Sequence, residues 1–553
     1  MLHMNRWWIG WVLAVLIAVL LLSGCRPVTR PVVQAGVPAQ AAYQLPVVLA
    51  HGAQIHSPNG IKAGPDGNLY VASVTEQAIV VIDPATGEIV KRLGPEVGVD
   101  GPDDLAFGPD GSIYWTNFFE GSVGRLAPDG TASSQVVAPG VNPIAVAQDG
   151  RVFVGLAFLG DALYELDPNL AAPPRLLAEG LGGLNSFQFG PDGKLYSPVM
   201  EKGQVARIDV DADPITVDVV AEGLSWPVAV KFDSQGRLYT TNPPGIVRVD
   251  MQTGATEPVA TVPYGIDNFA LDAQDRVFVS MLAEGTIGEA LPNGELRMLG
   301  PTGMVMPGGV VIAPRADGES VYVADGWLLD EFDAATGELR RKVDNLGPNT
   351  VAWDGDNLLL SGWFGNGVVV WNPQTEKVVE EYYDFAMPIN AVRFGGDLIV
   401  AELGSGSVVR ASGADPSQRT TLIKDLGVPA GLATNGKELW VGDRAAGNIW
   451  QLAAGGELLP EPKLLASGLD RPEGMAVADG RLLVAEAGTG RLLAIDLATG
   501  GMSTVAEGLG FSAEAPAGGP PTFVMNSMAV DPAGVIYVTG DRADVLYRIE
   551  PVE

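Results

Sequence analysis

From residue 58 onward the hydrophobic positions fall in short bursts rather than in helical stripes. The stretch 101–130, GPDDLAFGPDGSIYWTNFFEGSVGRLAPDG, shows the pattern. Its apolar runs (LAF, SIYWTN, SVGRLA) are short and rich in β-forming residues, which predicts strands. Gly108-Pro109-Asp110-Gly111 separates the first two runs: proline presets the second turn position and glycine closes the turn. Glu120-Gly121 separates the next two. Three strands on two tight turns predict an antiparallel meander, and the more polar 131–140 predicts a fourth, outer strand.

The unit recurs as PNGIKAGPDGNLYVASVTEQAIVVIDPATGE from Pro58, LNSFQFGPDGKLYSPVMEKGQVARIDVD from Leu184 and PEGMAVADGRLLVAEAGTGRLLAIDLATGG from Pro472. Further copies start near Pro143, Pro227, Asp267, Pro307, Pro348, Ile389, Pro429 and Asn526. About twelve copies at a spacing of roughly 40 residues predict the blades of an all-β propeller. One ring ordinarily holds about four to eight blades, so the copies predict two tandem six-bladed propellers of four-stranded antiparallel blades, over 43–293 and 294–553. A seven-plus-five split and a single large ring are the alternatives. The fragment YQLPVVLAHG, from Tyr43, resembles an outer strand and is expected to close the first ring. ELRML (295–299) is expected to close the second beside the last three strands, removing an exposed sheet edge.

Ahead of the repeats, residues 1–25 read as a targeting segment. Arg6 gives a basic start, 7–22 (WWIGWVLAVLIAVLLL) an apolar core, and Leu22-Ser23-Gly24-Cys25 the end. This resembles the lipobox of bacterial lipoproteins, which implies lipidation at Cys25, membrane anchoring through it and an extracytoplasmic location. Cys25 is the only cysteine of the chain, so no disulfide is expected. Residues 26–42 (RPVTRPVVQAGVPAQAA) read as a flexible tether.

The 553-residue chain carries 34 Lys and Arg against 66 Asp and Glu, a formal net charge of −32. A phosphate backbone would be repelled, which argues against a nucleic-acid partner. No Gly-x-Ser-x-Gly, HExxH or phosphate-binding glycine loop occurs, and no nucleotide is expected. With three His and one cysteine that ends the leader, no haem or zinc site of usual composition is expected either.

In each copy the first strand is the most apolar and suits the innermost place. The residue following the recurrent proline should then line the channel mouth. In the first propeller these positions are Asn59, Asp103, Ile144, Asn185, Val228 and Asp267. In the second they are Gly308, Asn349, Asn390, Ala430, Glu473 and Asn526. Second-strand ends are expected to add Asp325, Glu402, Asp443, Glu486 and Asp541 there. Carboxylate and amide oxygens around a channel suit Ca2+, Mg2+ or Mn2+. The candidate ligands are Asn59, Asp103, Asn185 and Asp267 in the first ring, and Asn349, Asn390, Glu473 and Asn526 in the second. The same residue types also make good turns and caps, so a purely structural role stands beside the ligand role. Trp226, Trp363 and Phe364 lie where a flat ligand could stack, or where a core packs. The long segment 508–522 (GLGFSAEAPAGGPPT) reads as a lid or a linker.

The copies from Pro58 and Pro472 resemble those of the SMP-30/gluconolactonase and NHL-type propellers and of streptogramin lyase-like proteins, over essentially everything after residue 43. The lactonase resemblance implies a metal held by Glu, Asn and Asp of different blades. Asn59 and Asp103 match those positions in the first ring, with Asn185 as a third ligand. Asn349 and Asn390 match in the second, with Glu473 as the acid. The lyase resemblance implies a catalytic histidine, for which His56 is the only one near a channel mouth. Three functions are therefore expected in turn: a divalent-metal-dependent lactone or ester hydrolase, a non-catalytic display module binding a small molecule, glycan or protein on a propeller face, and an eliminase.

Overall fold

The computed structural model describes residues 43–552, apart from 263–265, 327, 345 and 512–524. The leader with Cys25, the tether 26–42 and most of the segment 508–522 therefore lie outside the described residues. Among the described residues, no helix is long and apolar enough to cross a membrane.

Among the described residues the strands form twelve four-stranded antiparallel sheets. They make two tandem six-bladed propellers, and the chain divides into two compact units accordingly. The first covers Ala53–Gly303; the second combines the stretch up to Gly52 with the chain from Met304. Blades form where the sequence predicts them, because each Pro/Gly-Asp-Gly turn stops one apolar run and reverses the chain into the next.

A blade cannot bury both its faces alone, so each packs on its neighbours. In the first unit Ile61, Leu69, Val71 and Val80 of one sheet meet Ala270, Phe278 and Ile287 of another. That contact joins the first blade to the sixth and closes the ring. In the second unit Val310, Val321 and Val323 meet Tyr537 and Leu546, again joining first blade to last. Each fully buried aliphatic or phenyl side chain in these seams contributes about 1.5–3 kcal/mol.

The closing strands run opposite to the sequence-based expectation. Val47–Ala50 pairs antiparallel with Val545–Ile549, through Val47 opposite Arg548 and Val48 opposite Tyr547, and completes the last sheet of the second unit. Leu296–Met298 pairs with Thr286–Ala290 and is the fourth strand of the first unit's last sheet. The reason lies in the registers. Leu296 follows its partner strand through the tight Pro-Asn-Gly turn, so a local hairpin takes it. Val545–Ile549 is paired on its outer side with Val47–Ala50 instead.

Candidate functional site

The ladder registers fix which residues stand level around each channel. In the first propeller Ile61, Leu105, Ile144, Val230 and Phe269 occupy equivalent places, opposite Val71, Trp115, Val154, Thr240 and Val279. Two residues earlier stands a ring of Asn59, Asp103, Asn142, Asn185, Val228 and Asp267. The sequence-based list had Ile144 here. In that blade the proline comes after the ring residue instead of before it, so counting from Pro143 overshoots by two. Asn142 takes the place, is buried, and its Oδ1 has no hydrogen-bond partner among the described residues. One step deeper stand Gly60, Asp104, Pro143, Ser186, Ala229 and Asn268. Level with Lys62 stand Ala106, Ala145, Gln188, Lys231 and Ala270.

The neighbouring blades approach very closely here. Gly60 donates its N–H to the carbonyl of Asp103 at 2.9 Å. A Cβ on Gly60 would lie 2.6 Å from the Asp104 Cα, so only glycine fits.

Three of the four first-ring candidates are brought into one electrostatic group. Asn59 Nδ2 donates to Asp103 Oδ1 at 2.6 Å. Burial pushes the Asp103 carboxyl well above the usual range, and Asp267 and Asp104 add to the shift by repulsion. Burial, then Asp104, pushes the half-buried Asp267 up to about 7, with Lys231 pulling the other way. Asp104 accepts from the Leu105 N–H at 2.9 Å through Oδ1, while its buried Oδ2 has no hydrogen-bond partner. Asn185 is spent differently: its Oδ1 accepts the Ser186 N–H at 2.8 Å and its Nδ2 faces Met200 Sδ at 3.4 Å.

Below this ring lies a network that counting from the prolines missed. Lys231 is buried; its Nζ donates to Ser186 Oγ at 2.6 Å, and Ser186 Oγ donates to Asn268 Oδ1 at 3.1 Å. Asn268 Nδ2 reaches Asp104 Oδ1 at 3.5 Å. Burial, then the neighbouring Lys62, holds the Lys231 amine well below the usual lysine range, against the pull of Asp104.

The second channel is built otherwise. Its equivalent ring is Gly308, Asn349, Ile389, Ala430, Glu473 and Asn526, since Asn390 stands opposite Ala401, one step deeper. Glu473 is fully engaged: Oε1 accepts from Arg444 Nε at 2.7 Å, and Oε2 from the Asn526 N–H at 2.9 Å and Nδ2 at 2.6 Å. Asn349 Oδ1 accepts the Trp363 N–H at 3.0 Å, and Asn526 Oδ1 that of Asp541 at 2.9 Å. The oxygens of Glu473 and Asn349, expected as ion ligands, are thus engaged by protein donors in this structure. Arg444 already supplies the positive charge, and the amide oxygens serve the backbone. The residues level with Lys62 here are Val311, Ala352, Val392, Ala433, Ala476 and Ala529, an apolar tier.

Four of the second-strand carboxylates, Asp325, Glu402, Asp443 and Glu486, accept from backbone N–H groups. Asp325 accepts the Val305 N–H at 2.8 Å and the Met306 N–H at 2.6 Å; Glu402 accepts that of Ala386 at 3.1 Å. Asp443 accepts those of Gly427 at 3.0 Å and Val428 at 3.1 Å, and Glu486 that of Asp470 at 2.9 Å. Each holds the loop entering its own blade. In the first unit Asn242 does the same for the Ser225 N–H at 2.8 Å. Asp325→Ala orphans two buried N–H groups and should cost about 3 kcal/mol in urea unfolding of the second unit.

Of the aromatic candidates, Trp363 is buried in a core cluster with Ile389 and Val408, and Trp226 packs against Met200 and Val228. Phe364 is 46% exposed and meets Trp363 edge-on at 5.6 Å. The His56 backbone carbonyl accepts from Ser73 and Thr75 hydroxyls. Among the described residues, no three His, Cys, Asp or Glu side chains cluster to hold a metal by themselves, so an amide oxygen must take part in any such site.

No family model matches the chain. A gluconolactonase of Zymomonas mobilis is 26% identical over 204 residues, covering 34% of this chain. Over that stretch the chain is similar to a gluconolactonase. It spans about half (50%) of the length of that relative. Among solved structures, a streptogramin B lyase is 16% identical with a TM-score of 0.37, covering 52% of this chain and 96% of its own. A gluconolactonase from Xanthomonas campestris is 16% identical with a TM-score of 0.36, covering 45% of this chain and 95% of its own.

Proposed function

We propose that the first propeller hydrolyses a lactone or related ester at its channel mouth with the help of a divalent cation held by Asn59, Asp103 and Asp267. The observation that supports this most is the grouping of buried, mutually repelling carboxyls from neighbouring blades around one amide, without a cationic partner at ring level. These are hard oxygen donors of the kind Ca2+, Mg2+ and Mn2+ take. The unpartnered oxygens of Asp104 and Asn142 beside them are further acceptors that a bound ion or a polyhydroxylated ligand would satisfy. When bound, such an ion polarises a carbonyl and lowers the pKa of a water. The protein's own part is to fix Asp103 through Asn59 and to exclude bulk water by the close approach at Gly60. Anchoring through Cys25 and an extracytoplasmic location complete the reading.

The pH dependence of stability tests the charge state. A carboxyl whose pKa is raised on folding favours the fold below its unfolded value, and that contribution fades as pH rises through the folded value. Without divalent ions, the stability of the first unit should fall between about pH 4 and about pH 7, the latter set by Asp267. Asp267→Asn should flatten the slope, and saturating Ca2+ or Mn2+ should reverse it. A flat wild-type profile from pH 4 to 7 would contradict the coupled carboxyls.

A further inference from the structure

We infer that Ser186 and Lys231 form a nucleophile–base pair in the first channel, able to take an acyl group from a small activated ester without any metal ion. This goes beyond the cation-dependent reading, which assigns neither residue a role. Lys231 Nζ stands 2.6 Å from Ser186 Oγ, within the distance a proton crosses between base and nucleophile. Both side chains are buried, and they arise from different blades, Ser186 just before Gln188–Phe189 and Lys231 within Val230–Phe232. The pair is ordered by a third group. Asn268 Oδ1 accepts from Ser186 Oγ at 3.1 Å and from the Phe269 N–H at 2.9 Å, which fixes the amide. Its Nδ2, whose one contact is the long 3.5 Å approach to Asp104, is a donor beside the serine for a developing oxyanion.

A lysine serves as base only when uncharged. Burial, and after it Lys62, disfavours the ammonium, while Asp104 and Asp267 favour it. The Phe269 ring, 5.7 Å from Nζ, adds an apolar wall. Other copies show that the pair is no requirement of the fold. At the Lys231 level three of the six blades carry alanine, and the second propeller is apolar there throughout.

The step balances. The Ser186 hydroxyl turns its proton from Asn268 Oδ1 to the uncharged Lys231 amine, and Oγ attacks the ester carbonyl carbon as that proton is transferred. The C–O bond to the leaving alcohol breaks, and the ammonium returns the proton to that oxygen. Water, deprotonated by the same amine, then attacks the acyl–serine ester and releases the acid, restoring both side chains.

The test is pre-steady-state hydrolysis of p-nitrophenyl acetate by the full chain in excess EDTA. The expected result is a nitrophenolate burst close to one equivalent, with the acetyl group mapped to the peptide containing Ser186. Ser186→Ala should abolish the burst with unchanged melting temperature. Lys231→Arg, which keeps a cation but cannot act as base, should slow it by at least about a hundredfold, the scale of a lost general base. A folding defect in Lys231→Arg would show as a shifted melting temperature, and Ser186→Ala then decides alone. Absence of a burst in wild type, or acetylation of exposed lysines only, would overturn the pair. Loss of metal-stimulated lactonase activity with an intact burst would instead strike the cation reading alone.

Discussion

Replacing Glu473 by alanine should destabilise the second propeller by about 3–5 kcal/mol, because the change removes a buried carboxylate that Arg444 and Asn526 share in a nearly closed site. The carboxylate is about 1% exposed and the guanidinium about 12%, so solvent cannot take over the pairing. Asn526 loses at the same time the one oxygen that accepts from both its backbone N–H and its Nδ2. Glu473→Gln keeps an oxygen for Asn526 and should cost less. The double change Glu473→Leu with Arg444→Met removes both charges and should recover most of the loss, as buried ion pairs often tolerate apolar replacement. Urea unfolding of wild type, Glu473→Leu, Arg444→Met and the double variant gives the coupling energy. If the single alanine variant cost less than about 1 kcal/mol, the pairing of Glu473 with Arg444 would be untenable.

Removal of residues 1–52 should unravel the last blade of the second propeller while leaving the first intact. The strand Val47–Ala50 is the outer neighbour of Val545–Ile549, and Ala50 packs in the cluster that closes that ring. Its loss exposes the N–H and C=O groups of an otherwise paired edge and opens the seam at Leu546. The expected cost is on the order of 3 kcal/mol, from several ladder hydrogen bonds and the apolar contacts that go with them. Amide exchange should show lost protection at Val545–Ile549 and unchanged protection at Ile61 and Phe269. A peptide of residues 43–52 added back should restore it. Loss of protection in the first propeller instead would reinstate the closure expected from the sequence.

The contrast between those two closures shows what a repeat sequence reveals. The blades were legible because turn chemistry and apolar bursts recur with one period, and both act locally. Which ring receives the first strand was not, because YQLPVVLAHG matches any outer strand and the choice depends on a free edge far along the chain. Asn59, Asp103 and Asp267 were legible from their place beside the entry loops. Asn142 was hidden by a proline on its other side, and the role of Glu473 by an arginine 29 residues away in sequence. Ser186, Asn268 and Lys231 lay one to three positions past the point where the count from each proline stopped. Lysine at 62 and 231, where sister copies have alanine, was the signal that aligning the blades on their second strands would have raised.

Isothermal titration of Ca2+ and Mn2+ into the wild-type chain and into Asp103→Asn and Glu473→Gln tests the assignment of cation chemistry to the first channel most directly. Stoichiometric binding of one ion, abolished by Asp103→Asn and retained by Glu473→Gln, is the expected result. Heat absent in the wild type, or binding lost with Glu473→Gln and kept with Asp103→Asn, would contradict it.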